Sequence, residues 1–416
     1  MDEARAFGRR MREVRCWRGL TLREAAGLAG LSFSFWGQVE RGEKAVTSRK
    51  TLEVMAGALR VHPGELTGQP WTQRDVRHAD AQSGLESIEI ALERFELGVD
   101  PEVPMRAWPQ IIEDLERLVT TMRWAADYAA QSELVPVLLG ELHGAYVRLP
   151  HQRHEVLVGL MRTYASAMWT TKRLGVRGLP GQAARAAQQC AQTLDDLVWL
   201  GYAARLRGAA TGPLDRAAHY HRSVAAAESL TSRLDSSDAL QACGMLHLSA
   251  AQAAGAQADH ETAATHLAEA STLAARMGTE VGSWADLQFG PTKVGTWKAK
   301  IALELREPGQ ALEAAKTVHP ELLHTVQQAE FWAEVGRALV SEKKTRDKAV
   351  RVLVHAEQLA PQRIRHDLFV RETVTDLLRQ ARRDAGGREL RGLAWRMGVA
   401  PVGKRMTPLI DQQQLE

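Results

Sequence analysis

Residues 20–42, LTLREAAGLAGLSFSFWGQVERG, constrain the fold of this chain more than any other stretch, because the signals of two short helices and a tight turn follow one another there. Thr21 with Glu24 three residues on is a capping box, in which each side chain satisfies a free backbone N–H of the helix start. Ala25, Ala26 and Ala29 are small enough for a second helix to cross closely. Gly30 supplies the backbone freedom of the turn, and Ser32 is a good N-cap for the next helix. There Trp36 and Val39 point inward at i, i+3 spacing, which leaves Phe33, Ser34, Gly37 and Gln38 on the outer face; Gly42 closes the helix. Upstream, Ala4, Phe7, Met11 and Val14 make a helical stripe. Downstream, Ser48 caps a run with Leu52, Met55, Ala56 and Leu59 facing in, and a last short turn lies near Pro63 to Leu66.

Thr21, Glu24, Ala25, Ala26, Ser32, Trp36, Val39, Glu40, Arg41, Gly42, Thr51, Leu52, Ala56, Leu59, Val61 and Leu66 carry a resemblance. In this spacing, residues 1–68 resemble the lambda-repressor-like helix-turn-helix domains of Xre-type bacterial regulators. The resemblance implies a five-helix domain that docks on a double-stranded DNA operator, with Thr21, Arg23, Ser32, Phe33, Ser34, Gly37, Gln38, Arg41, Lys44 and Arg49 as the DNA-contacting set. Gln38 would bond an adenine edge bidentately and Phe33 would pack on a thymine methyl, while Arg41, Lys44 and Arg49 would neutralise phosphates. Such domains often carry Gln at the position of Leu22, and Arg or Gln at that of Phe33, so the operator is expected to differ. Arg9, Arg12 and Arg15 read as a solvated charged face, and Phe35 and Trp36 as core.

Charge agrees with this division. Residues 1–70 hold 12 Lys and Arg against 8 Asp and Glu, whereas the other 346 hold 41 against 42. The positive excess therefore sits on the segment expected to meet a polyanion. Cys16, Cys190 and Cys243 are far apart and odd in number, which suits a reducing cytoplasm better than a disulfide framework. No stretch of apolar residues is long enough for a membrane span, and no leader pattern opens the chain. Arg outnumbers Lys by 42 to 11 in an Ala-rich sequence, a bias that suggests a gene of high G+C content and an actinobacterial source.

A polar, proline-containing stretch at 69–79 reads as a linker. From 80 to 397 helical patterns follow one another, broken by short Gly, Pro or Asp-Ser punctuation and without strand alternation, so the whole chain is expected to be all-α. Within 244–277, Ala251, Ala263, Leu267 and Ala270 stand where a tetratricopeptide repeat places its small and bulky residues. Ala302, Ala311, Ala315 and Pro320 fit a second unit, and Ala349, Leu353, Ala356 and Pro361 a third. Degenerate helix pairs are expected around 109–148, 153–194, 195–231 and 363–397. Such units stack into a curved α-solenoid. The tail, 398–416, reads as disordered.

Segment 286–318 resembles a stretch of actinobacterial Xre-type regulators with a tetratricopeptide-like second half, in which a Phe-Gly-Pro-Thr-Asn-Val run precedes a helix. Phe289, Gly290, Pro291, Thr292 and Val294 fit, and Lys293 stands in place of Asn. Trp169, Lys172, Trp199, Tyr202, Arg205, Trp284, Phe289, Lys293, Trp297 and Lys298 are the candidate ligand box on the concave face, although aromatics at helical spacing are ordinarily repeat core. The chain contains no Asn at all, and Asn is the side chain with which similar solenoid receptors clasp a peptide backbone. The expected signal is thus a small acidic molecule, or a short peptide held by its end. No metal or cofactor is expected: neither His151/His154 nor His219/His221 has the i, i+4 spacing of a zinc hydrolase, and no phosphate-binding or nucleophile-elbow motif occurs, so an enzyme is not expected. A single reading head buries too little DNA surface for tight specific binding, hence a homodimer is. The alternative reading makes the solenoid a protein-docking scaffold without a small ligand.

Overall fold

A computed structural model describes residues 2–17, 20–46, 48–59, 66, 84–212, 215–381 and 388–399. The expected linker at 69–79, the turn before Leu66 and the tail beyond Val399 lie outside the described residues, so four of the five expected head helices are described. Every element is helical, and no strand occurs among the described residues. The head comprises α1 (Asp2–Trp17), α2 (Leu22–Leu28), α3 (Phe33–Glu40) and α4 (Arg49–Leu59). Met11, Trp36, Val39, Met55, Leu59 and Leu66 are fully buried at its centre. Helix α1 passes so close to the end of α3 that a Cβ on Gly8 would lie 2.4 Å from the carbonyl oxygen of Glu40. Only glycine permits that crossing.

The second part begins with α5 (Leu85–Arg94), α6 (Trp108–Arg117), α7 (Tyr128–Arg148), α8 (Arg153–Arg173), α9 (Leu179–Leu194), α10 (Leu197–Thr211) and α11 (Arg216–Ser229). It continues with α12 (Ser237–Ala256), α13 (His260–Ala275), α14 (Pro291–Glu304), α15 (Pro308–Ala315), α16 (Thr325–Leu339), α17 (Arg346–Leu359), α18 (Pro361–Arg365), α19 (Leu368–Ala381) and α20 (Arg388–Arg396). Consecutive helices pack on one another, and α8, α10, α12, α14 and α16 also touch each other across the intervening partner. That pattern makes the even-numbered helices the inner layer of a solenoid. Ala251, Ala263, Ala302, Ala311, Ala349 and Ala356 are buried in it, where small side chains let helices approach. The first repeat unit starts earlier than its small residues suggest, since α12 begins at Ser237 rather than near 244. In a chain without Asn the N-caps fall to Asp: Asp127, Asp196, Asp215 and Asp259 each accept a backbone N–H at 2.8–3.2 Å. No helix among the described residues is long and apolar enough to cross a membrane.

Candidate functional site

The capping box at the start of α2 is formed in full. Thr21 N donates to Glu24 Oε2 at 2.7 Å, and Glu24 N to Thr21 Oγ1 at 3.2 Å. Gly30 takes a positive φ of 61° in the turn, and Ser32 Oγ accepts from Phe35 N at 3.2 Å to open α3. Trp36 and Val39 are buried, while Phe33 is 56 % exposed and Ser34 is exposed beside it. Gln38 Nε2 lies 3.5 Å from Ser34 Oγ, so the two polar groups that could meet a base edge share one turn of the outer face. Arg23 is exposed on α2. Arg41 and Glu43 form a bidentate pair at 2.8 and 2.9 Å in full solvent, and Lys44 sits over the Phe35 ring at 4.8 Å. These two cations remain beside the outer face of α3. The side chain of Arg49 lies outside the described residues.

Two expectations for the head are corrected. Gly37 is buried, because the Arg41 side chain folds back over it: a Cβ there would stand 3.1 Å from Arg41 Nη1. Arg15 is no solvated charge. Its Nε and Nη2 donate to Glu40 at 2.7 and 3.0 Å, its Nη1 donates to the Leu20 carbonyl at 2.8 Å, and Trp36 Nε1 donates to the same carboxylate at 2.7 Å. The hydrogen bond to Glu40, with a smaller contribution from that residue's charge, raises the Arg15 guanidinium above its ordinary value against the cost of burial. Sequence reading named Glu40 but missed its pairing with Arg15, which is 25 residues away, although its place one helical turn after Trp36 was a signal.

Residues 6–67 match the family model of a helix-turn-helix domain. The N-terminal part of this chain is a helix-turn-helix domain. Such a domain points to a DNA-binding regulator, and the match ends where the head ends. No curated protein and no solved structure is significantly similar to the chain.

The second candidate site is a cavity of about 270 Å³ on the inner face of the solenoid. Each inner helix presents one stripe to it at i, i+3 or i+4 spacing, for example Lys293, Thr296, Trp297 and Lys300 of α14. Of the expected ligand box, Trp169, Lys172, Arg205, Lys293 and Trp297 line this space. Trp199, Tyr202, Trp284 and Phe289 do not. Trp199 packs against Trp284 and Tyr202 with ring centres 5.0 and 5.4 Å apart, in the main apolar core. Phe289 is fully buried over Gly244, where a Cβ would overlap its ring. Lys298 faces away from the cavity, and Lys300, two helical turns after Lys293, takes the inner position. The cause is the layered packing: a solenoid helix buries one side against its neighbours and shows another to the concave space, and aromatic type alone does not separate the two.

The cavity is electrostatically divided. On the side of α16, α18 and α19, Glu330 pairs with Arg173 at 2.8 Å and Arg363 at 2.6 Å, Asp367 pairs with Arg363 at 2.8 Å, and Glu334 pairs with Arg337. Burial pushes the Glu330 carboxyl up, yet the two arginines outweigh it and hold it down at about 2. Towards α10 the setting differs, because the Nε and Nη1 of Arg205 are buried and meet no protein acceptor. Burial pulls the Arg205 guanidinium down to about 10, with Tyr202 opposing and Arg123 adding repulsion. Lys293 is pulled down to about 7 by burial and by Arg205, with Glu330 opposing and Arg123 and Lys300 repelling; its ammonium donates to the neutral Gln327 at 2.7 Å. His219 is held near 4 by burial and by Lys172, Arg216, Arg222 and Arg205. Sequence reading missed Arg123, which a single π-turn at Leu118–Met122 delivers to the cavity. Among the described residues no group of three or more His, Cys, Asp or Glu is placed to hold a metal ion.

Proposed function

We propose that the protein is a sequence-specific DNA-binding transcriptional regulator of the Xre type, whose tetratricopeptide-like solenoid dimerises and senses a small molecule or short peptide in the cytoplasm. The observation that carries the reading is the outer face of α3, where exposed Phe33 and Ser34 and half-buried Gln38 lie on a helix-turn-helix scaffold whose inner face is packed. Major-groove reading needs that arrangement: a helix held rigidly from behind, with polar and apolar groups presented to base edges and cations alongside for phosphates. Two heads on a dimer would engage half-sites about one DNA turn apart. A ligand in the solenoid cavity would act by favouring one disposition of the heads, a population shift that requires different affinity for the two states.

Selection from a randomised duplex library with the full-length protein tests this reading. A defined, two-half-site sequence is expected, with affinity falling as salt rises by about 0.9 log units per log unit for each neutralised phosphate. Gln38→Ala should relax preference at one base pair per half-site, the loss of a bidentate contact worth roughly 1–3 kcal/mol of discrimination. Arg41→Ala should weaken all sequences alike. Equal affinity for random DNA, or a flat response to salt, sinks the reading.

A further inference from the structure

The reading head touches the solenoid beside the cavity, and one of its residues, Glu53, lines that space. Helix α4 meets the solenoid at two polar points: Arg306 Nη2 donates to the buried Thr51 Oγ1 at 2.9 Å, and Glu53 pairs with Arg216. Leu368 at the start of α19 adds an apolar contact with the head's core. The Glu53 carboxylate lines the cavity itself. It belongs to the DNA-reading domain and stands in a space whose other carboxylates on the α16–α19 side are already paired with arginines.

Deeper in, the positive groups form one continuous field. Arg123, Lys172, Arg205, Arg216, His219 and Lys293 all line this one space, and the charges of Lys172, Arg205 and Arg216 act on His219, that of Arg123 on Arg205, and those of Arg205 and Arg123 on Lys293. The Nε and Nη1 groups of Arg205 are buried and meet no protein acceptor, although the guanidinium lies 5.9 Å from the Trp169 ring centre. Taking a cation out of water without a carboxylate costs several kcal/mol, and donors left unsatisfied add to it. Lys293 carries a further penalty, because it lies in the first turn of α14, at the positive end of that helix. An anion with more than one charged group would relieve all of these costs together. A neutral acceptor would satisfy the donors but leave the charge uncompensated, and a cation would do neither. The volume, about 270 Å³, is at or below the low end of the roughly 300–1,000 Å³ range of ordinary ligand sites, so the anion must be compact.

We propose that the cation-rich end of this cavity, at Arg123, Arg205 and Lys293, receives a compact molecule bearing two or more carboxylate or phosphate groups, and that Glu53 of the reading head is the chain's own competing anion. This rests on the sensing role proposed above. Ligand entry neutralises the field that holds Glu53 against Arg216, and the head loosens from the solenoid. By linkage, the free energy that the ligand withdraws from the head contact equals what the contact withdraws from the ligand. Removing the Glu53 charge therefore tightens ligand binding and releases α4 in the same step.

The test uses the full-length protein with citrate as the carboxylate probe and pyrophosphate as the phosphate probe, each against sodium chloride of matched ionic strength. Calorimetry reads affinity, and hydrogen exchange over residues 48–59 reads the head contact. One of the two probes is expected to bind saturably, one per chain, and to speed exchange in α4. Which of them binds identifies the headgroup chemistry. Arg205→Gln should weaken binding roughly ten- to a hundredfold, the equivalent of a lost charged hydrogen bond. Glu53→Gln should bind the probe more tightly and show fast α4 exchange without it. Absence of saturable binding by both probes, or unchanged affinity in Arg205→Gln, overturns the proposed ligand class. Unchanged probe affinity and unchanged α4 exchange in Glu53→Gln overturn the competitor role. A protein-free cell extract that shifts operator affinity equally in wild type and Arg205→Gln would sink the anion class and leave the sensing role standing. Probe binding that loosens α4 yet leaves operator affinity unmoved would instead sink the sensing role.

Discussion

Glu40 shows how much a single carboxylate can organise in a small domain. It accepts from Arg15 twice and from the Trp36 indole once, so one side chain ties α1 to α3 and satisfies a buried donor behind the reading face. Breaking a buried pair from one side leaves the other charge uncompensated, at a cost of about 3–5 kcal/mol. Glu40→Ala is expected to lose most protection from hydrogen exchange in α1–α3 of the full-length protein, with Glu40→Gln, which keeps an acceptor for Trp36, in between. Equal protection in all three proteins contradicts this. Lys293 gives a second residue-scale expectation, with a sign that can be worked out. Burial and neighbouring cations bring its folded-state value down to about 7, whereas an unfolded lysine holds its proton to about pH 10.4. Between those values the unfolded chain binds more protons, so Lys293 adds stability as pH rises through 7 and is a burden below it. The melting temperature of wild type relative to Lys293→Met should therefore climb from pH 6 to pH 9. Calorimetric scans that run parallel across that range would refute the placement of this charge.

At the scale of elements, the segment leading into α14 is a wedge between two helical layers. Phe289 inserts over Gly244 of α12, the Phe289 carbonyl accepts from Gly282 N at 2.7 Å, and a Cβ on Gly290 would strike the Glu280 carbonyl at 2.4 Å. Pro291 then starts α14 where its missing N–H costs nothing. This wedge sets the axial position of α14 and, through it, brings Lys293, Trp297 and Lys300 into register with the cavity. Gly244→Ala forces an extra carbon into the space of the Phe289 ring and should destabilise the solenoid by about 1–3 kcal/mol. Phe289→Ala leaves a cavity instead, with an expected loss of about 3–5 kcal/mol. Denaturant midpoints of the full-length variants measure both, and a double variant that recovers part of the loss would confirm that the two sites act on each other. A purely additive loss would mean that the ring and the glycine are independent.

Over the whole molecule, two domains of different physical character meet through two polar contacts and the apolar contact of Leu368. The head carries the excess positive charge and an exposed outer face on α3, while the solenoid is nearly neutral in sum yet gathers many cations around its cavity. The outer face of α3 is left exposed by the contact, so α4 holds the head's position without covering the surface that would meet DNA. On the proposed reading, a ligand that changed the contact would change where the outer face of α3 is presented. That is the geometric basis on which a concave-face signal would reach a DNA site.

Local patterns made the head legible from the amino-acid order alone. Caps, turn glycine and inward stripe all lie within four residues of the groups they act on, so Thr21 with Glu24, Gly30, Ser32, Trp36 and Val39 read correctly as a helix-turn-helix. The solenoid's helices and their close-packed alanines were legible for the same reason, since helical periodicity and residue size are properties of single segments. Tertiary structure alone decided what faces what. All four tryptophans, Trp169, Trp199, Trp284 and Trp297, pack against the main apolar core, but only Trp169 and Trp297 also line the cavity, because each inner helix has two non-solvent sides that its own sequence does not distinguish. Arg15 found Glu40, Arg173 found Glu330, and Glu53 found Arg216 across 25, 157 and 163 residues of chain, separations at which only the folded path brings charges together.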